Sequence, residues 1–199
     1  MNTHPAHVAD ADPRPLRGEP LPLDLLNTCW IDDSGHHDLL ARPGGLAVWL
    51  ASAGLADIAP DTQETLDALL ATRSALRAIV ADEGADPERS RQLLNETLAH
   101  GRVRRLLGAD GPETVVETDT PGWLAAWHTA ERYLRLLEES PDRIRKCAGT
   151  ECVLRFYDTS KNGRRRWCSM TSCGNRAKTR RHYARTRTAP QGAEPAGGA

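Results

Sequence analysis

Four cysteines in the last third of the chain have the spacing of a metal site. Cys147 and Cys152 are separated by four residues, and so are Cys168 and Cys173, with fifteen residues between the two pairs. Thiolate sulfurs are strong ligands for Zn²⁺, and four protein ligands close its tetrahedral shell, which leaves no position for a reacting water. We therefore predict one structural zinc ion held by these four cysteines, and we expect the segment around it to unfold without metal.

The residues around this predicted zinc site are strongly basic. Residues 141–188 contain 14 Lys and Arg against three Asp and Glu residues, a net charge of +11. Residues 1–140 contain 12 basic and 23 acidic residues, a net charge of −11. A cationic segment of this kind is typical of polyanion binding, so we expect the basic half to bind nucleic acid. A second hypothesis is that the acidic half attracts the basic half and masks it.

A helix beginning at the last cysteine is predicted to carry most of the nucleic-acid contacts. We expect Asn175 and Arg176 in its first turn to reach base edges, and the amides near Gly174 to hold a phosphate. The cations expected to hold phosphates are Lys178, Arg180, Arg181 and Arg185. Arg176 and Arg180 lie four residues apart, as do Arg181 and Arg185, and the repulsion within each pair destabilises an isolated helix. A phosphate backbone would relieve that repulsion.

Arg164, Arg165 and Arg166, just before the second cysteine pair, are also predicted to bind nucleic acid. In a strand, Arg165 and Trp167 would point to one face and the other two arginines to the opposite face. We expect Trp167 to pack beneath the zinc site rather than to stack on a base. A solvated basic surface without a partner stays an alternative for the whole segment.

The elements that position this basic segment are predicted to form a mainly helical domain over residues 21–140. Helices are predicted from Pro43, with Leu46, Trp49 and Leu50 on one face, and after Asp61, where Glu64 completes a capping box. Two further helices are predicted to begin at Pro87 and Pro121, the second of them with a buried stripe of Trp123, Ala126, Trp127, Ala130, Leu134 and Leu137.

One β-hairpin is predicted between the last two of these helices, because residues 102–107 and 113–118 flank the turn-rich sequence GADGP. Residues 21–30 fit either a short helix or a strand. Residues 1–20 and 189–199 have few large apolar side chains, so we expect them to be disordered. The fold class is therefore α+β: a predominantly helical N-terminal domain with one hairpin, then a small zinc-bound β/α finger over residues 141–188.

The cysteine segment resembles the CGNR zinc fingers, named for the Cys-Gly-Asn-Arg sequence at residues 173–176. The likeness includes both cysteine pairs, the stretches at 156–162 and 165–170, and the basic helix. The preceding residues resemble the ABATE domain, which precedes this finger in the family, on the sequence LDLLNT at 23–28 and the helix at 46–50. The resemblance spans residues 20–187 and implies a transcription regulator with a DNA-binding finger.

These observations together predict a DNA-binding transcription regulator in the cytoplasm. RNA or an acidic protein surface is the alternative partner, and homodimerisation or a small-molecule effector at the N-terminal domain is an open expectation. A catalytic role is not expected, because no nucleophile–base arrangement can be assigned, and the candidate histidines are scattered among helices at His100, His128 and His182. Cys29 is expected to be a buried, inert thiol. No apolar run is long enough for a membrane span.

Overall fold

A computed structural model of the chain describes residues 12–81 and 86–188, and the structural statements below concern that part. Helices and antiparallel hairpins alternate along it, so the predicted α+β class is confirmed. The elements are α1 (Leu21–Leu26), β1 (Cys29–Asp32), β2 (Gly35–Asp38), α2 (Gly45–Ser52), α3 (Gln63–Val80), α4 (Pro87–Ala99), β3 (Gly101–Gly108), β4 (Gly111–Thr118), α5 (Leu124–Glu139), β5 (Ile144–Lys146), β6 (Arg155–Tyr157) and α6 (Asn175–Thr188).

The helical domain, residues 12–140, is built on α3 and α5, which pack against each other and against α1 and α4. The apolar side chains of α3 recur at helical spacing, so Leu69 and Leu76 are fully buried. The short helix α2 also buries its predicted face, with Trp49 completely enclosed. These buried side chains form one hydrophobic core with α1.

The stripe predicted for α5 is partly wrong. Leu134 and Leu137 are each 39% exposed, whereas Tyr133 and Leu136 are buried. The buried face of the helix runs through Ala126 and Ala130 to Tyr133. Leu134 follows Tyr133 by 100° around the helix and therefore lies at the edge of that face.

The predicted cap of α3 is also wrong. Thr62, not Asp61, is the N-cap, because its hydroxyl accepts a hydrogen bond from the Thr65 amide at 3.3 Å. Glu64 instead accepts a hydrogen bond from the Thr120 hydroxyl, which ties the start of α3 to the start of α5. For α4, the predicted start is confirmed, since Asp86 accepts from the Glu88 and Arg89 amides.

Residues 21–30 contain both of the elements that the sequence left open, a helix followed by a strand. The strand belongs to a second hairpin, β1–β2, in which Trp30 pairs with His37. This hairpin was not predicted because its second strand, GHHD, lacks alternating apolar residues. The predicted hairpin, β3–β4, is present, and Gly111 adopts a φ of 127° at its turn.

Residues 12–20, which were predicted to be disordered, are packed against the helical domain. Arg14 is 3% exposed and forms ion pairs with Asp12 at 2.7 Å and Asp24 at 2.6 Å. The expectation failed because it counted apolar residues, whereas charged hydrogen bonds hold this segment. Residues 1–11 and 189–199 lie outside the described part of the chain.

The finger, residues 141–188, packs directly on the helical domain. Its hairpin β5–β6 lies against α1, and its buried residues Leu154 and Phe156 belong to the same hydrophobic core as the helices. The described residues therefore share one continuous core. None of the described helices combines the length and apolar character needed to cross a membrane.

Candidate metal centre and basic helix

The hairpin β5–β6 positions the first cysteine pair. Cys147 follows β5 and Cys152 precedes β6, so the two cysteines flank the turn of the hairpin. The Cys147 amide donates to the Leu154 carbonyl at 2.9 Å, and the Cys152 amide donates to the Gly149 carbonyl at 3.1 Å. These backbone bonds close the turn and direct both sulfurs toward the second pair.

The second pair approaches from a loop and a wide helical turn. Cys168 is in the loop after the arginine run, and Cys173 is in the π-type turn Met170–Gly174 that leads into α6. The Ala148 amide donates to the Arg166 carbonyl at 2.8 Å, which holds the two segments side by side. All four sulfurs lie within 4.8 Å of one another, so the predicted ligand set is brought together.

The spacing of these sulfurs fits a tetrahedral zinc ion. A Zn–S bond of about 2.3 Å places tetrahedral sulfurs about 3.8 Å apart. The Sγ of Cys168 lies 3.8 Å from that of Cys152 and 3.6 Å from that of Cys173. Three of the four cysteines are buried and Cys152 is half-buried. The four cysteines therefore form a closed structural site for one zinc ion.

Backbone amides and a guanidinium surround the sulfurs. The amides of Gly149 and Cys168 donate to the Cys147 sulfur at 3.4 and 3.3 Å, and Arg176 donates to the Cys173 sulfur at 3.6 Å. Such outer hydrogen bonds orient metal ligands and stabilise their negative charge. The Arg176 bond also raises the pKa of the guanidinium, because the sulfur accepts from it.

The thiols shift one another's proton affinity. Hydrogen bonding from Cys152 lowers the pKa of Cys147, and the same contact raises the pKa of Cys152 to about 12. Cys147 also raises the pKa of Cys168. Zinc binds thiolates, so a bound dication would have to offset the raised pKa of Cys152 and of Cys168.

Gly149 is required by the space inside the first turn. A Cβ at this position would lie 3.0 Å from the Cys152 Cβ and 3.3 Å from the Cys173 sulfur. Both neighbours are held by the metal site, so neither can move away freely. The turn therefore closes tightly over the cluster only because residue 149 has no side chain.

Asp158 and Arg165 organise the loop between the two pairs. Asp158 is fully buried and accepts from the Ser160 and Arg165 amides, both at 2.9 Å. Hydrogen bonds from Ser160, its side chain first, lower the pKa of Asp158. The Arg165 guanidinium lies 4.2 Å from the centre of the Phe156 ring and donates to the Cys168 carbonyl at 2.6 Å.

The arginine run therefore divides into two groups. Arg164 and Arg166 are exposed, but the guanidinium of Arg165 is turned inward and reaches Glu19 of the helical domain at 3.4 Å. The expected strand alternation is wrong, because residues 164–167 form no strand. Trp167 is half-buried, 3.5 Å from where a Gly174 Cβ would lie, and it packs under the turn that leads to Cys173.

The basic helix, α6, begins at Asn175, directly after the π-type turn. The expected free amides near Gly174 are not available. The Gly174 amide donates to the Ser169 carbonyl at 3.0 Å, and the Asn175 amide donates within the turn. The turn satisfies these groups itself because it continues into the helix without a break.

The four predicted contacts of the basic helix whose side chains are described are all exposed, and three of them also make hydrogen bonds within the finger. The Asn175 side chain donates to the Thr171 carbonyl at 3.2 Å. Arg176 donates to the Ser172 hydroxyl at 3.3 Å, and Arg180 donates to the Thr150 hydroxyl at 2.6 Å. Asn175 and Lys178 are exposed. The side chains of the other two predicted contacts, Arg181 and Arg185, lie outside the described part of the structure.

The acidic turn of the β1–β2 hairpin faces this helix. Asp32 and Asp33 line a cleft of about 190 Å³ together with Arg176 and Arg180. Asp33 is exposed, and its charge contributes to the raised pKa of Arg176, after the larger effect of Cys173. The helical domain thus places two carboxylates beside the predicted nucleic-acid surface.

Two residues that connect the helical domain to the finger were missed by sequence reasoning. The Asn27 side chain donates to the Arg155 carbonyl and accepts from the Arg155 amide, both at 2.9 Å. Glu19 accepts from the Tyr157 amide at 2.8 Å. Asn27 could have been found from the sequence, because a polar side chain in the largely apolar segment LDLLNT is not explained by hydrophobic packing.

The histidines and the fifth cysteine lie apart from the zinc cluster. His100 stacks on Trp123 at 3.6 Å and contacts Asp119 at 3.0 Å. Burial lowers the pKa of His128. The His182 side chain is outside the described residues, and Cys29 is half-buried rather than buried.

Comparison with known families agrees with this architecture. Residues 19–140, more than half of the chain, match the family ABATE, described as "Putative stress-induced transcription regulator". Residues 143–186 match the family described as "CGNR zinc finger". A comparison with curated proteins finds no match. The predicted order of an ABATE domain followed by a CGNR zinc finger is confirmed.

Proposed function

The chain belongs to the ABATE family and contains a CGNR zinc finger, and we propose that it regulates transcription by binding DNA through that finger. The observation that carries the proposal is the attachment of a basic helix to the zinc cluster. Cys173 lies two residues before Asn175, so the metal sets where the helix starts and which way it points. A rigidly placed basic helix is a common reader of the major groove.

The exposed cations and amide of the finger supply the proposed contacts. Asn175 and Arg176 are close to the start of the helix, which is the end that contacts base edges in helix-based readers. Lys178 and Arg180 are suited to phosphates, as are Arg164 and Arg166 beside the helix. We keep Arg181 and Arg185 in the proposed set on their sequence positions. Arg165 is left out, because its guanidinium is bonded inside the finger.

This binding has a measurable electrostatic signature. If about six phosphates are neutralised, log affinity falls with log salt with a slope near −5, which is a loss of roughly three decades between 50 and 200 mM. A flat titration over that range would contradict the proposal. The measurement uses the zinc-loaded full chain and a DNA sequence selected from a random pool.

The partner and the roles of the residues are tested together. We expect selection from matched random DNA and RNA pools to enrich DNA, and an RNA consensus alone would contradict the proposal. Arg176→Ala should relax sequence preference, whereas Lys178→Ala should weaken binding to all sequences by a similar factor. Arg89→Ala, an exposed arginine of the helical domain, is the matched control and should change neither.

A further inference from the structure

A cavity of about 530 Å³ lies where the helical domain meets the finger. Its walls come from α1, the β1–β2 hairpin, the end of α3 and the β5–β6 hairpin. This volume is within the range of small-molecule sites, about 300–1,000 Å³. The four zinc-binding cysteines are absent from its lining, so the cavity is distinct from the metal site.

Three permanent cations line this cavity. Arg77 is in the last turn of α3, Lys146 ends β5, and Arg155 begins β6. Lys146 and Arg155 are direct partners across the finger hairpin. Like charges in directly opposite positions destabilise a hairpin, and an anion between them would remove that cost.

Two of these cations, Arg77 and Lys146, have no neutralising partner among the described residues. Within residues 12–81 and 86–188, the side chains of Arg77 and Lys146 have no hydrogen-bond or ion-pair partner. Asp38 lines the cavity, but its two oxygens accept from Arg73 at 2.7 and 2.6 Å. Its charge is therefore already paired with Arg73 and does not neutralise Arg77 or Lys146.

The remaining lining combines the apolar or aromatic side chains of Leu26, Trp30, Ala81 and Val153 with Cys29, His36 and His37. Leu26 and Trp30 are buried at the inner wall, and the Trp30 ring stacks on His37 at 4.8 Å between centroids. Val153, next to the zinc ligand Cys152, also lines the cavity and is 44% exposed. A ligand that covered Val153 would remove apolar surface from water.

We propose that this cavity binds a small organic carboxylate with an aliphatic or aromatic body. The carboxylate is held between Arg77 and the Lys146–Arg155 pair, and the body packs between Trp30 and Val153. Because the walls come from both the helical domain and the finger, the bound ligand stabilises their association and raises the unfolding temperature. The site does not depend on the finger binding DNA.

The test measures binding of defined probes to the zinc-loaded full chain. Octanoate and benzoate are titrated by calorimetry beside the neutral octanamide and benzamide. We expect at least one carboxylate to bind with millimolar affinity or better, and its amide to bind about tenfold more weakly, since about 1.4 kcal/mol of charge interaction is lost. The carboxylate that binds should also raise the unfolding temperature.

Matched variants locate the bound probe. Arg77→Gln should weaken carboxylate binding about tenfold while zinc content stays at one per chain, because the Arg77 side chain has no partner in the described structure. Lys146→Gln should act in the same direction, and Arg89→Gln should leave binding unchanged. The proposal is overturned if neither carboxylate binds at about 10 mM, if carboxylate and amide bind equally, if inorganic phosphate binds as tightly as the best carboxylate, or if Arg77→Gln has no effect.

Discussion

The helical domain and the finger are stabilised by different interactions. In the helical domain, Trp49, Leu69 and Leu76 are almost completely removed from water, as are the small residues of α5 that pack between them. Among the described side chains of the finger, Leu154 and Phe156 are buried, and the other buried apolar positions are zinc-binding cysteines. Hydrophobic burial is therefore the main source of stability in the helical domain, whereas we expect the finger to depend on its metal.

The finger differs from the helical domain in a second way, because it also depends on its neighbour. Asn27 satisfies both backbone polar groups of Arg155, and Glu19 accepts from the Tyr157 amide. The helical domain thus supplies an edge for β6. A small segment without a large core is stabilised from two sides, by zinc and by the adjacent domain.

Zinc removal should produce the largest difference in stability between the finger and the helical domain. A structural zinc ion contributes about 10 to 16 kcal/mol in isolated finger peptides. We expect Cys168→Ser or a chelator to abolish hydrogen-exchange protection in β5 and β6, while α3 and α5 stay protected. Cys29→Ser is the control and should retain one zinc per chain. Equal loss of protection in both regions, or no loss, would contradict the comparison.

Removal of the Asn27 side chain should also destabilise the finger, but less than zinc removal does. Asn27→Ala removes the two side-chain hydrogen bonds to the partly buried Arg155 backbone, which costs about 1 to 3 kcal/mol of the free energy of unfolding. Denaturant titration measures the loss, and hydrogen exchange should locate it in β6. The matched control is Asn95→Ala, at an exposed position on α4. A change confined to the helical domain would show that the finger does not rely on this contact.

Neutralising the acidic turn should have the smallest effect. If the finger binds DNA as proposed, Asp33 repels phosphates near Arg176, and Asp33→Asn should raise affinity up to about fivefold, the size expected of an exposed charge. Affinity is measured at low salt, where screening is weak. Asp57→Asn, an exposed change elsewhere in the helical domain, should leave affinity unchanged. Lower affinity in Asp33→Asn would exclude masking by this turn.

Elements defined by local signals were predicted well. Asp86-Pro87 identified the start of α4, GADGP identified the turn of β3–β4, and the spacing of the cysteines identified the zinc ligands. Each of these signals lies within a few residues and depends on backbone geometry or ligand chemistry. Such patterns need no knowledge of distant parts of the chain.

Features that depend on distant residues were not predictable in the same way. Arg165 belongs to a basic run, but Phe156 and Glu19 draw its guanidinium into the finger. Arg14 lies in a Pro-rich segment, but Asp24, ten residues later, gives it a buried partner. Charge counts treat all arginines alike, whereas the fold assigns some to structure and leaves others on the surface.

The bond between Asn27 and Arg155 affects how the finger could be transplanted. A chimera that carried residues 141–188 to another protein would include the zinc ligands but leave behind the amide side chain that completes β6. A graft that also brought α1 and Asn27 would keep this edge covered. The smallest portable unit is therefore discontinuous in the chain, since it joins a short N-terminal helix to a C-terminal metal site.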